Sequence, residues 1–395
     1  MRVGIHNEPS GAGIGGSEYL VAMIGEALRE RHDVEIIHHR ANVDLGTWSA
    51  FSGTVLRGVR LRYVEPERPQ PSNARSRWRI FQESAWEVEL SRRYDLFITV
   101  THGVPPRCHA AAGVLIVLFP LFRRSELWPW SEPIPLRPFQ MRSRARKLYH
   151  EWKWRQRFDS YQTRLAISEF SRKWTREYWG LDCGVLYPAV ETGFGERPKK
   201  NRVVSVGRFS LISPRKNHPL MIQTFGDLVE ARQQGWRFRC LGGLSDLTTD
   251  QAYFASLQRM APACGADVIG NLERELLVKE YEEAKVFWHA AGYGENERDH
   301  PLGAEHFGIV TVEAMAAGCV PVVINKGGQP EIVQHGVNGF LWDTPEQLAE
   351  YTRRLLSDDQ LRVRMSAAAR ERAGFFGREQ FIRRFQSLSP QQTLG

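Results

Sequence analysis

The chain has 395 residues, 42% of them hydrophobic, which is ample for two α/β domains that each bury a core. Cys108, Cys183, Cys240, Cys264 and Cys319 are scattered without CxxC or Cys/His spacing, which argues against zinc or a disulfide frame and for a reducing cytoplasm, while MRVGIHNEP lacks an apolar core of signal-peptide length and no run approaches about 18 apolar residues, excluding a spanning helix. The net charge of +8 is concentrated between 123 and 157, where ten Lys/Arg stand against three Asp/Glu; no nucleic-acid module accompanies it, so nucleic acid is set aside as a partner.

In chain order, Arg2–His6 reads as a first strand and Ser17–Arg31 as an amphipathic helix, with NEPSGAGIGGSE between them. Gly11, Gly13 and Gly16 satisfy G-x-G-x-x-G, the dinucleotide fingerprint. The next strand, Val34–Ile37, ends in His38-His39-Arg40, with no carboxylate at its tip for an adenosine ribose. The loop is therefore read as a glycine hairpin meeting phosphate or acceptor through Gly15 and Gly16, with Ser17 as the helix N-cap. Thr54–Val55 and Val59–Val64 are short predicted strands, PERPQPSNARS is an exposed loop, and Arg79–Arg93 is helix-like. Tyr94–Val100 and Val114–Phe119 are apolar β runs, each ending where a site residue could sit. His102 follows the first and is placed among the catalytic residues as a sugar or acceptor contact, although a lone histidine is more often structural.

Trp128, Trp130, Trp152 and Trp154 share the basic stretch 123–157, a mixture suited to an anionic lipid surface; a solvated basic face with partly buried tryptophans is the competing reading. Arg164–Trp179 reads as strand then helix, with Ser168 as a cap. Leu186–Val190 is read as a strand, and the polar run ETGFGERPKKN, 191 to 201, as the domain boundary.

The second half opens on a strand, Arg202–Val206, a loop carrying Arg208 and Lys216, and a helix from about Pro219 to Arg232. Phe238–Leu241, Asp267–Ile269 and Val286–Trp288 are further strands, Lys279–Lys285 is helical, and AGYGENERDHPLGA (291 to 304) is a long polar loop, read as a lid or equally as a structural insertion. Then comes PLGAEHFGIVTVEAMAAGCVPVVINKGGQPE, the stretch that organises the chain. Val310–Ala317 is helix-compatible with Gly318 as its stop, and the β-branched run Val320–Ile324 suits an interior parallel strand. Glu305 and Glu313 bracket the helix entry, about 12 Å apart along the axis if all eight steps between were helical, so Glu305 is read as lying on the loop. Between them Phe307, Gly308, Ile309 and Val310 offer backbone N–H groups at a helix N-terminus, suited to phosphate, and Gly308 permits close approach. One helix end could hold an anion while carboxylates on either side hold hydroxyls; a sugar nucleotide has both. Glu346–Ala373 reads as two helices and Arg378–Ser387 as an amphipathic tail.

EHFGIVTVE resembles the Glu-x7-Glu motif of retaining GT-B glycosyltransferases of family four, and GGQPEIVQHGVNGFL in register behind it resembles that family's next block. The resemblance implies an α/β GT-B fold: two Rossmann-like parallel-sheet domains facing a central cleft, with the C-terminal helix crossing back to the first. The domains are then 1–190 with the tail 376–395 on the acceptor side, and 201–375 on the nucleotide-sugar side. It implies Glu305 on sugar hydroxyls, Glu313 on the nucleotide ribose, Arg208 and Lys216 on the diphosphate with the amides of Gly308 to Val310, and Asn271 and Leu272 beside the nucleobase through backbone atoms. The family carries a histidine after its second first-domain β run; Phe119-Pro120-Leu121 stands there instead.

The implied activity is transfer of a hexosyl-type sugar, with retention and by a front-face route, from a nucleoside-diphosphate sugar to a glycan or lipid-linked acceptor. No Asp-x-Asp occurs, so no metal and no cofactor beyond the sugar nucleotide are expected. The expected location is cytoplasmic, with peripheral contact to the inner membrane face through 123–157. A GT-B sugar-nucleotide epimerase, an NAD(P)-dependent oxidoreductase using the Gly11–Gly16 loop, and a non-catalytic membrane or polyanion binder are the alternatives.

Overall fold

The computed structural model describes residues 1–7, 15–40, 43–65, 85–123, 140–211 and 215–388. They divide into two compact units, one from Met1 to Leu186 joined by the chain from Ile382 on, the other from Tyr187 to Phe381. The final helix, Arg378–Leu388, thus starts in the second unit and ends in the first.

Among the described residues of the first unit, seven strands run parallel: β1 (Arg2–Asn7), β2 (Asp33–His38), β3 (Arg60–Tyr63), β4 (Leu96–Thr101), β5 (Ala112–Val117), β6 (Thr163–Ala166) and β7 (Gly184–Val185). Their order is β3-β2-β1-β4-β5-β6-β7. β4 and β5 are wholly buried, as expected of central strands covered on both faces, and for that reason read as continuous apolar runs. Several expectations need correction here. Ser17 is not the N-cap: the first helix runs Gly16–Leu28, capped at Gly15, and Ser17 is buried with its hydroxyl donating to Glu18. The cap is supplied instead by the Glu18 carboxylate, which accepts from the Gly15 N–H at 2.9 Å. Thr54–Val55 is no strand; it follows a short helix, Leu45–Ser52, that Asp44 caps by accepting from Thr47 N at 2.8 Å and Gly53 ends at φ +63°. The chain from 184 pairs as β7 only through Val185, and Val190 forms a single bridge to Gly377. Ser168 does cap its helix, Glu169–Trp179, accepting from Ser171 N at 3.0 Å. Of the helix read over 79–93, Ala85–Ser91 is observed; residues 79–84 and the loop 66–76 lie outside the described residues.

A helix not read from the sequence, Gln140–Asp159, carries much of the basic stretch. Its tryptophans divide. Trp152 is exposed, as are Leu148 and Tyr149, with the Lys153 ammonium 5.2 Å from the Trp152 ring centroid. Trp154 is core, donating to Trp179 O at 3.2 Å, and Arg157 is buried in an ion pair with Glu87. These two do not belong to a surface patch, because aromatic packing and a buried carboxylate claim them. Trp128 and Trp130 lie outside the described residues.

Among the described residues of the second unit, six strands are parallel in the order β10-β9-β8-β11-β12-β13. They are β8 (Lys200–Val206), β9 (Arg237–Gly242), β10 (Ala266–Gly270), β11 (Ala284–His289), β12 (Val320–Ile324) and β13 (Phe340–Trp342). Trp288 anchors the core, its ring 5.1 Å from that of Phe238 and its indole N–H donating to Thr352 at 3.0 Å, so the one polar atom of a large apolar group is satisfied. The helix expected over 219–232 is two, His218–Gly226 and Val229–Gln233, broken where Leu228 turns into the core. A helix at Thr248–Met260 was not read from the sequence, and that read at Lys279–Lys285 runs Arg274–Glu283, Lys285 being already in β11.

Candidate active site

In the second unit β8 stands between β9 and β11, so the chains leaving β8 and β11 depart to opposite sides at the carboxyl edge of the sheet. Ligands of open α/β sheets sit at such a switch point. The turn after β8 begins at Gly207, close against the turn after β9: a methyl group on Gly242 would lie 1.7 Å from the Gly207 carbonyl oxygen. Arg208 is exposed beside the Gly242–Gly243 turn. Lys216 follows; its stem crosses Gly207, where an added methyl would be 2.8 Å from the lysine Cγ. Residues 212–214 lie outside the described residues. Asn217, at φ +54°, ties this loop to the one after β11 by donating to the carbonyls of Ala290 (2.9 Å) and Tyr293 (3.3 Å).

The loop from β11 carries Glu305 back to the same edge. It is pinned by the turn after β12: Lys326 donates to the carbonyls of Gly292 and Glu295, and Gly327 N to the Glu297 carboxylate at 3.2 Å. Gly328 N donates to Glu305 O at 2.8 Å. Gly327 has φ +61°, and a methyl there would be 2.2 Å from that same oxygen, so the glycine pair is what allows the turn to clasp Glu305. The Glu305 carboxylate then receives two donors on its Oε2, the Lys216 ammonium and His289 Nε2 at 3.2 Å. Burial alone would raise this carboxyl, but Lys216 and His289 together hold it well below the usual carboxylate range.

Gly308, at φ +123°, opens the helix Ile309–Ala316; Thr311 N and Val312 N donate to its carbonyl at 3.0 and 3.3 Å, while the amides of Ile309 and Val310 come before the first bonds within the helix. Phe307 beneath it is buried against Tyr187 and Phe376, at centroid distances of 5.7 and 5.4 Å. At the far end two cations reach the Ala317 carbonyl, Lys199 at 2.7 Å and Arg370 at 3.2 Å, where the helix dipole favours positive charge. Glu313, on the helix and buried, accepts from Arg274 at 2.7 Å and from the Tyr281 hydroxyl at 3.2 Å.

The structure therefore brings Lys216 and Glu305 into contact and places Glu313 and the amides of Ile309 and Val310 on the helix that Glu305 precedes. Asn271 sits at the tip of β10 with φ +53°, its side chain committed to the backbone of Leu244 at 2.8 and 3.1 Å; Leu272 is half-buried beside it. Gly15, Gly16 and His102 belong to the first unit, the glycines at the start of its first helix and His102 just past β4, half-buried. Gly11 and Gly13 lie outside the described residues. The sequence reading missed His289, Arg274 and Asn217. A polar residue closing the apolar strand AKVFWH was the available signal for His289.

Two parallel-sheet units with a last helix shared between them define the GT-B class of glycosyltransferase fold. The crystal structure of Anabaena HepE in complex with UDP and glucose is similar over 98% of both chains, with a TM-score of 0.65 and 16% identity, a likeness of fold. Residues 191–372, nearly all of the second unit, match the model of the family described as glycosyl transferases group 1. The chain is also 28% identical over 235 residues to a Dictyostelium discoideum protein named GDP-Man:Man(3)GlcNAc(2)-PP-Dol alpha-1,2-mannosyltransferase (54% of this chain, 43% of the relative). A Mycobacterium tuberculosis protein named GDP-mannose-dependent alpha-(1-6)-phosphatidylinositol monomannoside mannosyltransferase is 31% identical over 183 residues (45% of this chain, 43% of the relative). The matched region spans less than half the length of either relative.

Proposed function

We propose that the chain is a retaining glycosyltransferase that moves a hexosyl-type sugar from a nucleoside-diphosphate sugar to a glycan or lipid-linked acceptor without a metal ion. The observation that carries this reading is the meeting of Lys216, Glu305 and the Ile309 and Val310 amides of a helix N-terminus at the switch point of the second sheet. Cations and amides suit a pyrophosphate; carboxylates suit hydroxyls. Arg208 and Lys216 bind the diphosphate with the amides of Ile309 and Val310 and stabilise the charge that grows as it leaves. Glu305 accepts from sugar hydroxyls and Glu313 from the ribose. The bond from the anomeric carbon to the β-phosphate oxygen breaks while the acceptor oxygen bonds to that carbon on the same face. The acceptor proton passes to the departing phosphate oxygen.

Both curated relatives are named as using GDP-mannose, so GDP-mannose is the first donor to try, and their lipid-linked acceptors make a lipid-linked acceptor the matching choice. The exposed Leu148, Tyr149 and Trp152 beside Lys153 support membrane-proximal working, and five unpaired cysteines support a reducing, cytoplasmic setting. The test is acceptor-dependent release of nucleoside diphosphate, with the anomeric configuration of the product read by NMR. Retained configuration and dependence on acceptor support the proposal. Release without any acceptor favours the epimerase alternative, and inversion contradicts the front-face route.

A further inference from the structure

We propose that His289 is the positioning residue that keeps the Glu305 carboxylate charged and aimed when Lys216 leaves it for an incoming diphosphate, and that this hand-over takes up a proton. The inference rests on the donor-site reading given above. Lys216 Nζ and His289 Nε2 converge on one oxygen, Oε2, so the other carboxylate oxygen is engaged by neither and can meet a sugar hydroxyl. A carboxylate only accepts, so Nε2 of His289 carries a proton, and Nδ1 is the bare nitrogen of the neutral ring. That Nδ1 is buried without a hydrogen-bond partner among the described residues.

The two donors differ in freedom. Lys216 is a flexible stem lying over Gly207, whereas His289 is 2% exposed and closes β11 in register with Val323 of β12. The pyrophosphate carries the larger charge and draws the ammonium, on its flexible stem, away from the carboxylate. When Lys216 turns to it, Glu305 keeps His289. The charged groups facing His289 are Glu305 and Lys216 from the two loops, and His218 at the start of the helix His218–Gly226. Burial lowers the proton affinity of His289, Glu305 raises it and Lys216 lowers it again. Departure of the ammonium removes the repulsion and leaves the attraction, so the imidazole gains proton affinity and its Nδ1 becomes the site of uptake.

The test is calorimetric titration of UDP and of GDP into the wild-type chain and His289→Asn, at about pH 6.5 in two buffers of different ionisation enthalpy. Comparing the two proteins cancels ionisation of the nucleotide's own phosphate. The expected result is uptake greater in the wild type by ~0.3 proton per nucleotide, with nucleotide affinity in the variant within about threefold and turnover reduced at unchanged KM for donor. Equal proton counts in the two proteins overturn the proposal while leaving the donor site standing. Absence of binding to the wild type overturns the donor-site reading and this inference with it. Should His289→Asn not fold, His289→Gln, which also donates to Glu305, takes its place.

Discussion

Lys216 and Glu305, 89 residues apart in the chain, form an ion pair at the carboxyl edge of the second sheet, each side chain less than one-fifth exposed. Each is held by glycines: Lys216 lies across Gly207, and Glu305 is clasped by Gly327 and Gly328. On the proposed reading, the pairing holds a cation where a leaving diphosphate needs one. Lys216→Ala and Glu305→Ala are each expected to lose at least about tenfold in kcat/KM, ~1.4 kcal/mol of transition-state stabilisation. Steady-state kinetics with the identified donor checks this, and near-normal turnover in both variants removes the assignment.

Gly308→Ala tests whether the backbone at the helix entry must be glycine. At φ +123° an L side chain is strained, and its Cβ would sit 2.6 Å from the Gln329 amide nitrogen, which would have to move. The expected cost is ~1–3 kcal/mol in urea unfolding, with nucleotide affinity lowered because the first-turn amides shift. An unchanged unfolding midpoint and unchanged affinity would show that this turn does not position the anion site.

Two buried histidines set an acid limit on stability. Burial and then neighbouring His39 hold His6 down at about 3. Burial, then Lys216 and His289, do the same for His218. Both folded values lie below the ordinary 6.5 of the unfolded chain, so the unfolded state binds the protons. The stability contributed by the neutral rings is therefore full above about pH 6.5 and is lost as pH falls toward about 3, at ~1.4 kcal/mol per pH unit for each ring. Denaturant titrations between about pH 6.5 and 4.5 should show a shallower decline in His6→Gln than in wild type; parallel curves would contradict the account.

What was legible in the sequence follows from how local each signal is. Val320–Ile324 was read with its observed ends because a β-branched run closed by Cys319 and Asn325 leaves little freedom. The helix Thr248–Met260 escaped notice because no side chain caps it and its apolar residues mark no clear stripe; its place is set by packing on the sheet. In the site, Glu305 and Glu313 stand on one contiguous motif and were visible. Their partners were not: His289 meets Glu305 only through the fold of the long loop, and Arg274 reaches Glu313 from a helix 39 residues earlier. The positive φ of Asn217 joins two loops 73 residues apart, a relation no window of sequence contains.

The exposed face of the helix Gln140–Asp159 gives a separate expectation. Trp152 and Tyr149 stand beside Lys153 within the basic stretch. Replacing both rings with serine should lower binding to vesicles containing phosphatidylserine by about tenfold or more, and about 0.5 M salt should weaken the wild type similarly. Co-sedimentation that is indifferent to both changes would assign the face to solvent.

The most direct test of the central claim, that this helix end with its acids and cations grips an activated sugar by its pyrophosphate, is the thermal unfolding midpoint of the chain in the presence of nucleotides. GDP or UDP at about 100 times its Kd should add ~2.7 kcal/mol of stability, and Lys216→Ala should abolish most of that shift at the same concentration. Protection by NAD or NADP, with no response to either nucleoside diphosphate, would contradict it.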